Sequence, residues 1–310
     1  MIPMRQVFGD ALCEAGKLYP RLVVLDADVS SSTQTLRFAQ AFPERFYNFG
    51  IAELSMTAAA AGFAACGDVP VVSSFAFLLA LRAGDAVRSL IAYNRLNVKL
   101  AGGYAGLSDY ADGASHQSVA DLSILRAIPN LCLLSPSDIE STRGAVRAML
   151  DMQGPVYLRL SRAEVGSLHG GDERFDIGKA RLLRDGGNLL VCATGPVLAA
   201  ALQAADQLRS EGIACAVLEY GTIKPFDAQA LLSCAARTGR VLTVEENNVI
   251  GGLGGAAAES LAEAGLGARL FRVGIGDCFG ESGAYDLLLR KHGLDREGIA
   301  RAMRRALADN

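Results

Sequence analysis

Runs of four or five apolar residues alternate along this chain with longer stretches in which apolar residues recur every three or four positions. The short continuous runs suit strands buried on both faces, and the longer period suits helices packed over them. The pattern therefore predicts an α/β chain with a mainly parallel sheet. An N-terminal amphipathic helix carries Val7, Ala11, Leu12 and Leu18, and predicted strands follow at Leu22–Asp26, Val69–Ser73, Val98–Ala101, Leu131–Leu134 and Val156–Leu160. Ala-rich helices are predicted between them, at Glu53–Cys66, Ala83–Tyr93 and Ile139–Met152.

The period is lost after Arg162, where AEVGSLHGGDERFDIG is polar and contains several glycines, the composition of a connecting segment. A second series then begins, with strands at Leu189–Ala193, Ala214–Leu218, Val241–Val244 and Arg269–Val273. Its helices are expected at Val197–Arg209, Ala228–Ala236 and Gly255–Ala264, with two more near the C-terminus. The layout expected is two consecutive three-layer domains, residues 1–165 and 178–310, with a linker at 166–177.

Composition narrows the function. A hydrophobic share of 51% excludes a disordered chain, and 30 Lys+Arg against 33 Asp+Glu leave no basic surplus for a nucleic-acid partner. No apolar run is long enough to span a membrane, and the start, MIPMRQVFGD, lacks a basic segment followed by a greasy one. The seven cysteines are an odd number without a C-x-x-C pair, as expected of reduced, packed thiols in a cytoplasmic protein. The three histidines have no metal-binding spacing, and no metal ligand is assigned.

Chemistry in an open α/β sheet collects beyond the carboxyl ends of the strands. Four loops stand there: DADVSSST (26–33), NFGIAEL (48–54), SSFAF (73–77) and the sixteen-residue GGYAGLSDYADGASHQ (102–117). A loop as long as the last is usually functional. Reading on, the chain carries FPERFYNFGIAE, FAFLLALR, DGASHQ, RAIPNLCLLSPSD and GPVYLRLSR, then GTIKPFD, VEEN followed by GGLGG, and GDCFGESG. This ordered series resembles the transketolase family over essentially the whole chain, as a thiamine-diphosphate pyrimidine-binding domain followed by a transketolase C-terminal-like domain.

The resemblance implies roles for particular residues. Glu53 would be the carboxylate beside N1′ of the cofactor's aminopyrimidine, where it favours the imino tautomer that activates C2. Phe75 would wall the ring, with Leu78 where the family often has a second aromatic and Phe77 pointing elsewhere. Asp28 and Val29, in the D-x-D loop, would also line the cofactor. Asp112 and His116 would meet hydroxyls of a sugar substrate, His116 taking part in catalysis. Arg5, Ser32 and Arg162 would bind the phosphate of a phosphorylated sugar, with Tyr104 standing where the family usually has a histidine. Ala120 replaces a common family Glu.

Thiamine diphosphate is held through Mg²⁺ by a G-D-G element in this family. Here GDV at 67, GDE at 171 and GDC at 276 all lack the second glycine. The resemblance thus implies half an enzyme: the C-terminal subunit of a split transketolase, passing a two-carbon ketol unit from a ketose donor to an aldehyde acceptor. An N-terminal subunit would carry the diphosphate and Mg²⁺ motif, in an α2β2 heterotetramer. Part of the apolar content would then serve a subunit interface. A deoxyxylulose phosphate synthase-like subunit, a 2-oxoacid dehydrogenase E1 β-like subunit and a non-catalytic interaction module are the alternatives. GGLGGA (251–256) superficially suits a dinucleotide, but a tight turn into a helix is the better reading.

Overall fold

A computed structural model describes residues 1–309. The first sheet has seven strands, in the order Thr222–Lys224, Cys132–Leu134, Val156–Arg159, Lys99–Gly103, Val69–Phe75, Leu22–Asp26, Phe46–Asn48. All its neighbours run parallel except Thr222–Lys224, which pairs antiparallel with Cys132–Leu134. Leu22–Asp26 is buried along its whole length, which is why its sequence shows no polar alternation. On one face lie the helices Met4–Leu18, Leu36–Ala41 and Ile139–Asp151, and on the other Glu53–Ala65, the segment 78–92 and Asp121–Arg126. Met4–Leu18 turns Val7, Ala11 and Leu12 inward as expected, but Leu18 is 71% exposed.

The second sheet runs Arg269–Ile275, Arg240–Asn248, Leu189–Ala193, Cys215–Glu219, Arg181–Arg184, parallel except at the last pair. Helices Leu198–Ser210 and Arg296–Ala308 cover one face, while Ala228–Thr238 and Leu253–Glu263 cover the other. The chain is therefore two consecutive α/β domains of three layers each. One difference from the predicted elements is local. The helix expected at Ala83–Tyr93 is a widened segment of π-type turns, at Leu78–Arg82 and Val87–Ala92 around the short Gly84–Ala86 turn. Widened turns of this kind occur most often beside functional sites.

The two domains share a core. One apolar cluster holds Leu25, Leu100 and Leu133 from the first sheet with Leu190, Leu218 and Ile223 from the second domain. Thr222–Lys224 leaves its own domain to complete the first sheet, and the Lys224 ammonium donates to the carbonyls of Arg126 and Ile128. The connecting segment is pinned down. Glu164–Val165 pairs with Ile2–Pro3. His169 then places Nδ1 2.8 Å from Asp138 Oδ2 and Nε2 2.7 Å from Glu219 Oε2. Asp138 also caps the helix that starts at Ile139, accepting from the Ser141 N–H. Among the described residues, no helix is long and apolar enough to cross a membrane.

Candidate functional site

Parallel strands bring their carboxyl ends to one edge, so the four loops singled out by sequence meet there. Asp26, at the end of its strand, faces inward and is fully buried. Its Oδ1 accepts from the Val29 N–H (2.7 Å), and its Oδ2 from the hydroxyls of Thr35 (2.7 Å) and Thr33 (3.2 Å). Burial raises its pKa, and those hydrogen bonds oppose the rise. Of the acidic pair only Asp28 points outward, in the left-handed region at φ +64°. Its backbone N–H donates to Asn48 Oδ1 (3.1 Å) and its carboxylate accepts from Asn48 Nδ2 (3.0 Å), tying this loop to the strand that leads into GIAE. Val29 is the residue before the short Ser30–Thr33 helix, its carbonyl accepting from the N–H groups of Ser32 and Thr33.

Glu53 opens the helix Glu53–Ala65, where a negative charge is favoured by the unpaired backbone N–H groups. Its side chain is 2% exposed and lies 3.4 Å from Arg82 Nη1. The helix is apolar around nearly its whole circumference, ELSMTAAAAGFAA, yet buries only Glu53, Met56, Thr57 and Ala60 against this chain. Ile51 (78%), Leu81 (62%) and Tyr93 (79%) are also exposed on this and the neighbouring elements. Exposed apolar side chains of this kind, on elements that cover a sheet, are the composition of an interaction surface.

Phe75 ends its strand, half-buried, with its ring 4.6 Å from that of Tyr104 and 6.0 Å from the imidazole of His116. Phe77 differs from the expectation: it also meets His116 edge-on, at 5.7 Å. A continued strand would have kept residue 77 on the face of Phe75, and the turn into the helical segment at Leu78 still leaves its ring beside the imidazole that Phe75 meets. The imidazole is flanked by two aromatic rings, while Leu78 is buried at the start of the widened turns. His116 Nδ1 is 2.9 Å from the Ser115 hydroxyl, and Asp112, exposed, begins the Gly113–Ser115 turn.

Arg5, Tyr104 and Arg162 come together as expected, but not as three free donors. Arg5 Nη1 donates to the Tyr104 hydroxyl (2.7 Å) and to the carbonyl, not the hydroxyl, of Ser32 (3.0 Å). Arg162 lies over the rings of Tyr104 (5.2 Å) and Tyr110 (5.1 Å), and its Nη1 is 3.1 Å from Asp109 Oδ1. Asp109 was not singled out in the sequence. It is fully buried, and its pKa is raised by burial and by the nearby Asp112 while Arg162 pulls it down.

The second domain braces this loop. Glu246 accepts from the Leu107 N–H (2.7 Å) and the Tyr285 hydroxyl (2.7 Å), and Gln117 Nε2 donates to the Glu281 carbonyl (3.0 Å). Beneath it Arg159 is buried against Asp121, with Nε 2.9 Å from Oδ2, and Tyr157 donates to the same oxygen. The GGLGG turn is satisfied from within: Glu245 accepts from the N–H groups of Leu253 and Gly254, both 2.8 Å, occupying the helix end that a phosphate would need. Burial pushes Glu245 and Glu246 up to about 7. Asp138, Glu140 and His169 gather elsewhere, at the domain junction, within reach of one another only in the folded chain.

Fold and site define a two-domain α/β chain that presents a buried carboxylate, an aromatic-flanked imidazole and a guanidinium pair along one sheet edge. Residues 1–167 match the family model of the transketolase pyrimidine-binding domain and residues 178–299 that of the transketolase C-terminal domain, so the chain belongs to the transketolase family. It is 44% identical over 300 residues to a Methanocaldococcus jannaschii protein named as a transketolase C-terminal section, covering 96% of this chain and 94% of that one. A 6-deoxy-6-sulfo-D-fructose transketolase subunit of Clostridium sp. (strain MSTE9) is 42% identical, with 96% and 92% covered. A solved structure described as a split gene transketolase, inactive beta4 tetramer, superposes with a TM-score of 0.90 at 42% identity, over 99% of this chain and 98% of that one.

Proposed function

We propose that this chain is the C-terminal subunit of a split, thiamine-diphosphate-dependent transketolase, transferring a two-carbon ketol unit from a ketose to an aldehyde acceptor. The carrying observation is Glu53: a carboxylate with 2% exposure at the start of an apolar helix that buries few of its side chains against this chain, with Phe75 at the end of a neighbouring strand. A flat apolar ring and a buried acceptor suit an aminopyrimidine. Bound thiamine diphosphate would supply the nucleophilic carbon and the electron sink.

This chain's own residues would do the following. Glu53 hydrogen-bonds the pyrimidine N1′ and holds its proton. Phe75 supports the ring face, and the Asp28–Val29 loop lies at the neighbouring strand end. His116, steadied by Phe75, Phe77 and Ser115, donates to and accepts from substrate hydroxyls. Asp112 accepts from a further hydroxyl, and Arg5, Ser32, Arg162 and Tyr104 receive the far end of the sugar. An N-terminal-type subunit would hold the diphosphate and Mg²⁺ and cover the exposed apolar side chains of Ile51, Leu81 and Tyr93, in an α2β2 assembly. The neighbour described as an inactive tetramer of β chains alone supports that need for a partner.

The test is hydrogen–deuterium exchange at the cofactor's C2 in the reconstituted complex. Glu53→Gln abolishes exchange while the complex stays assembled, and near-normal exchange would remove Glu53 from this role. Alone, the chain binds thiamine diphosphate feebly in calorimetry; tight Mg²⁺-dependent binding without a partner would refute the split arrangement.

A further inference from the structure

The substrate's far end would lie against two guanidiniums of unequal charge balance. Arg5 donates to two neutral acceptors, the Tyr104 hydroxyl and the Ser32 carbonyl, and so keeps its full positive charge. Arg162 is ion-paired to the buried carboxylate of Asp109 at 3.1 Å. That pair is not easily lent to a ligand. Asp109 Oδ2 is buried without a hydrogen-bond partner, so swinging Arg162 away would leave both carboxylate oxygens bare in a dry site. The rings of Tyr104 and Tyr110 hold the guanidinium in place. The cavity that Arg5 and Arg162 line, about 710 Å³, is also lined by Glu164 and Asp286.

A phosphate monoester carries about two negative charges near neutral pH. Two uncompensated guanidiniums would balance it, whereas here one remains and further carboxylates stand beside it. A hydroxyl can accept from Arg5 and donate to a nearby carboxylate with no charge to balance.

We propose that Asp109, acting through Arg162, sets this subsite against phosphate monoesters, so that the chain takes aldehyde acceptors ending in an uncharged hydroxyl. Asp109 is a positioning residue for specificity, and the inference rests on the ketol-transfer reading above. It replaces the phosphate role that the resemblance implies for Arg5, Ser32 and Arg162 by one of hydroxyl recognition.

The experiment uses the reconstituted complex with D-glyceraldehyde and D-glyceraldehyde 3-phosphate as competing acceptors. The wild type shows kcat/KM for the phosphorylated aldehyde no higher than for the unphosphorylated one. Asp109→Asn, which keeps an oxygen for Arg162 and removes the charge, raises the phosphorylated-to-unphosphorylated ratio about tenfold, through KM for the phosphorylated aldehyde. Asp109→Ser does the same if the Asn variant fails to assemble. Inorganic phosphate, weak against the wild type, inhibits either variant more strongly. A wild type that prefers the phosphorylated aldehyde tenfold, or cannot use the unphosphorylated one, or a ratio unmoved in both variants, overturns the proposal. C2 exchange in the same preparation separates the causes. Exchange with the wrong acceptor preference sinks this inference alone, and absent wild-type exchange sinks the activity reading and this inference with it.

Discussion

The stability that one imidazole lends this chain should be lost through the alkaline range. His169 joins the start of the Ile139–Asp151 helix to the end of the Cys215–Glu219 strand through Asp138 and Glu219, with 2% of its side chain exposed. Burial alone would lower its pKa, but the hydrogen bonds to the two carboxylates outweigh it and push the group from 6.5 up to about 10. The folded chain therefore holds a proton that the unfolded chain has lost. The stabilisation is complete below about pH 6.5 and is lost progressively as pH rises to about 10. At about 1.4 kcal/mol per pH unit, that window carries a ceiling of roughly 5 kcal/mol. Asp138 is held well below the usual carboxylate range, the hydrogen bonds from His169 and its neighbours overcoming burial, so its own loss comes only in acid. Lys99, lowered to about 7 by burial, acts with the opposite sign in the alkaline range, but it is present in both proteins compared and cancels. The assay is urea unfolding of the wild type and His169→Gln across that pH range, followed by far-UV circular dichroism because the chain has no tryptophan. The stability difference should shrink by about 1.4 kcal/mol per pH unit. A difference that stays constant with pH would show that His169 acts only by packing.

Other substitutions should report on the frame under the site. Asp121→Asn breaks a buried ion pair with Arg159 and should cost about 3–5 kcal/mol in the same urea assay; a loss under 1 kcal/mol would mean that the pair is not buried in solution. Gly102→Ala should destabilise by about 1–3 kcal/mol, since a Cβ there would overlap the Tyr157 ring and hydroxyl. A neutral result would show that Tyr157 can shift at little cost, and a thermal melt decides it.

The sequence by itself determined the two α/β halves, their central strands and the loops that carry Glu53, Phe75 and His116. Continuous apolar runs of four or five residues suit strands covered on both faces, and the longer segments of helical period suit their cover. It did not reveal the edge strands Phe46–Asn48, Thr222–Lys224 and Arg181–Arg184, because three or four residues are too few to show a period. Nor could it show that Thr222–Lys224 belongs to the other domain's sheet, because strand pairing is set by long-range contacts and not by local propensity. The same reason governs the site. Phe77 meets His116 across the fold from a distant loop, and His169 meets Asp138 and Glu219 from positions 31 and 50 residues away. Asp109 looks like any acidic loop residue until folding buries it beside Arg162, where desolvation makes the pairing decisive for the charge of the pocket. Residue type and order settled which chemistry the chain can carry. Which of those groups are free to use it depended on burial and on partners far apart in sequence.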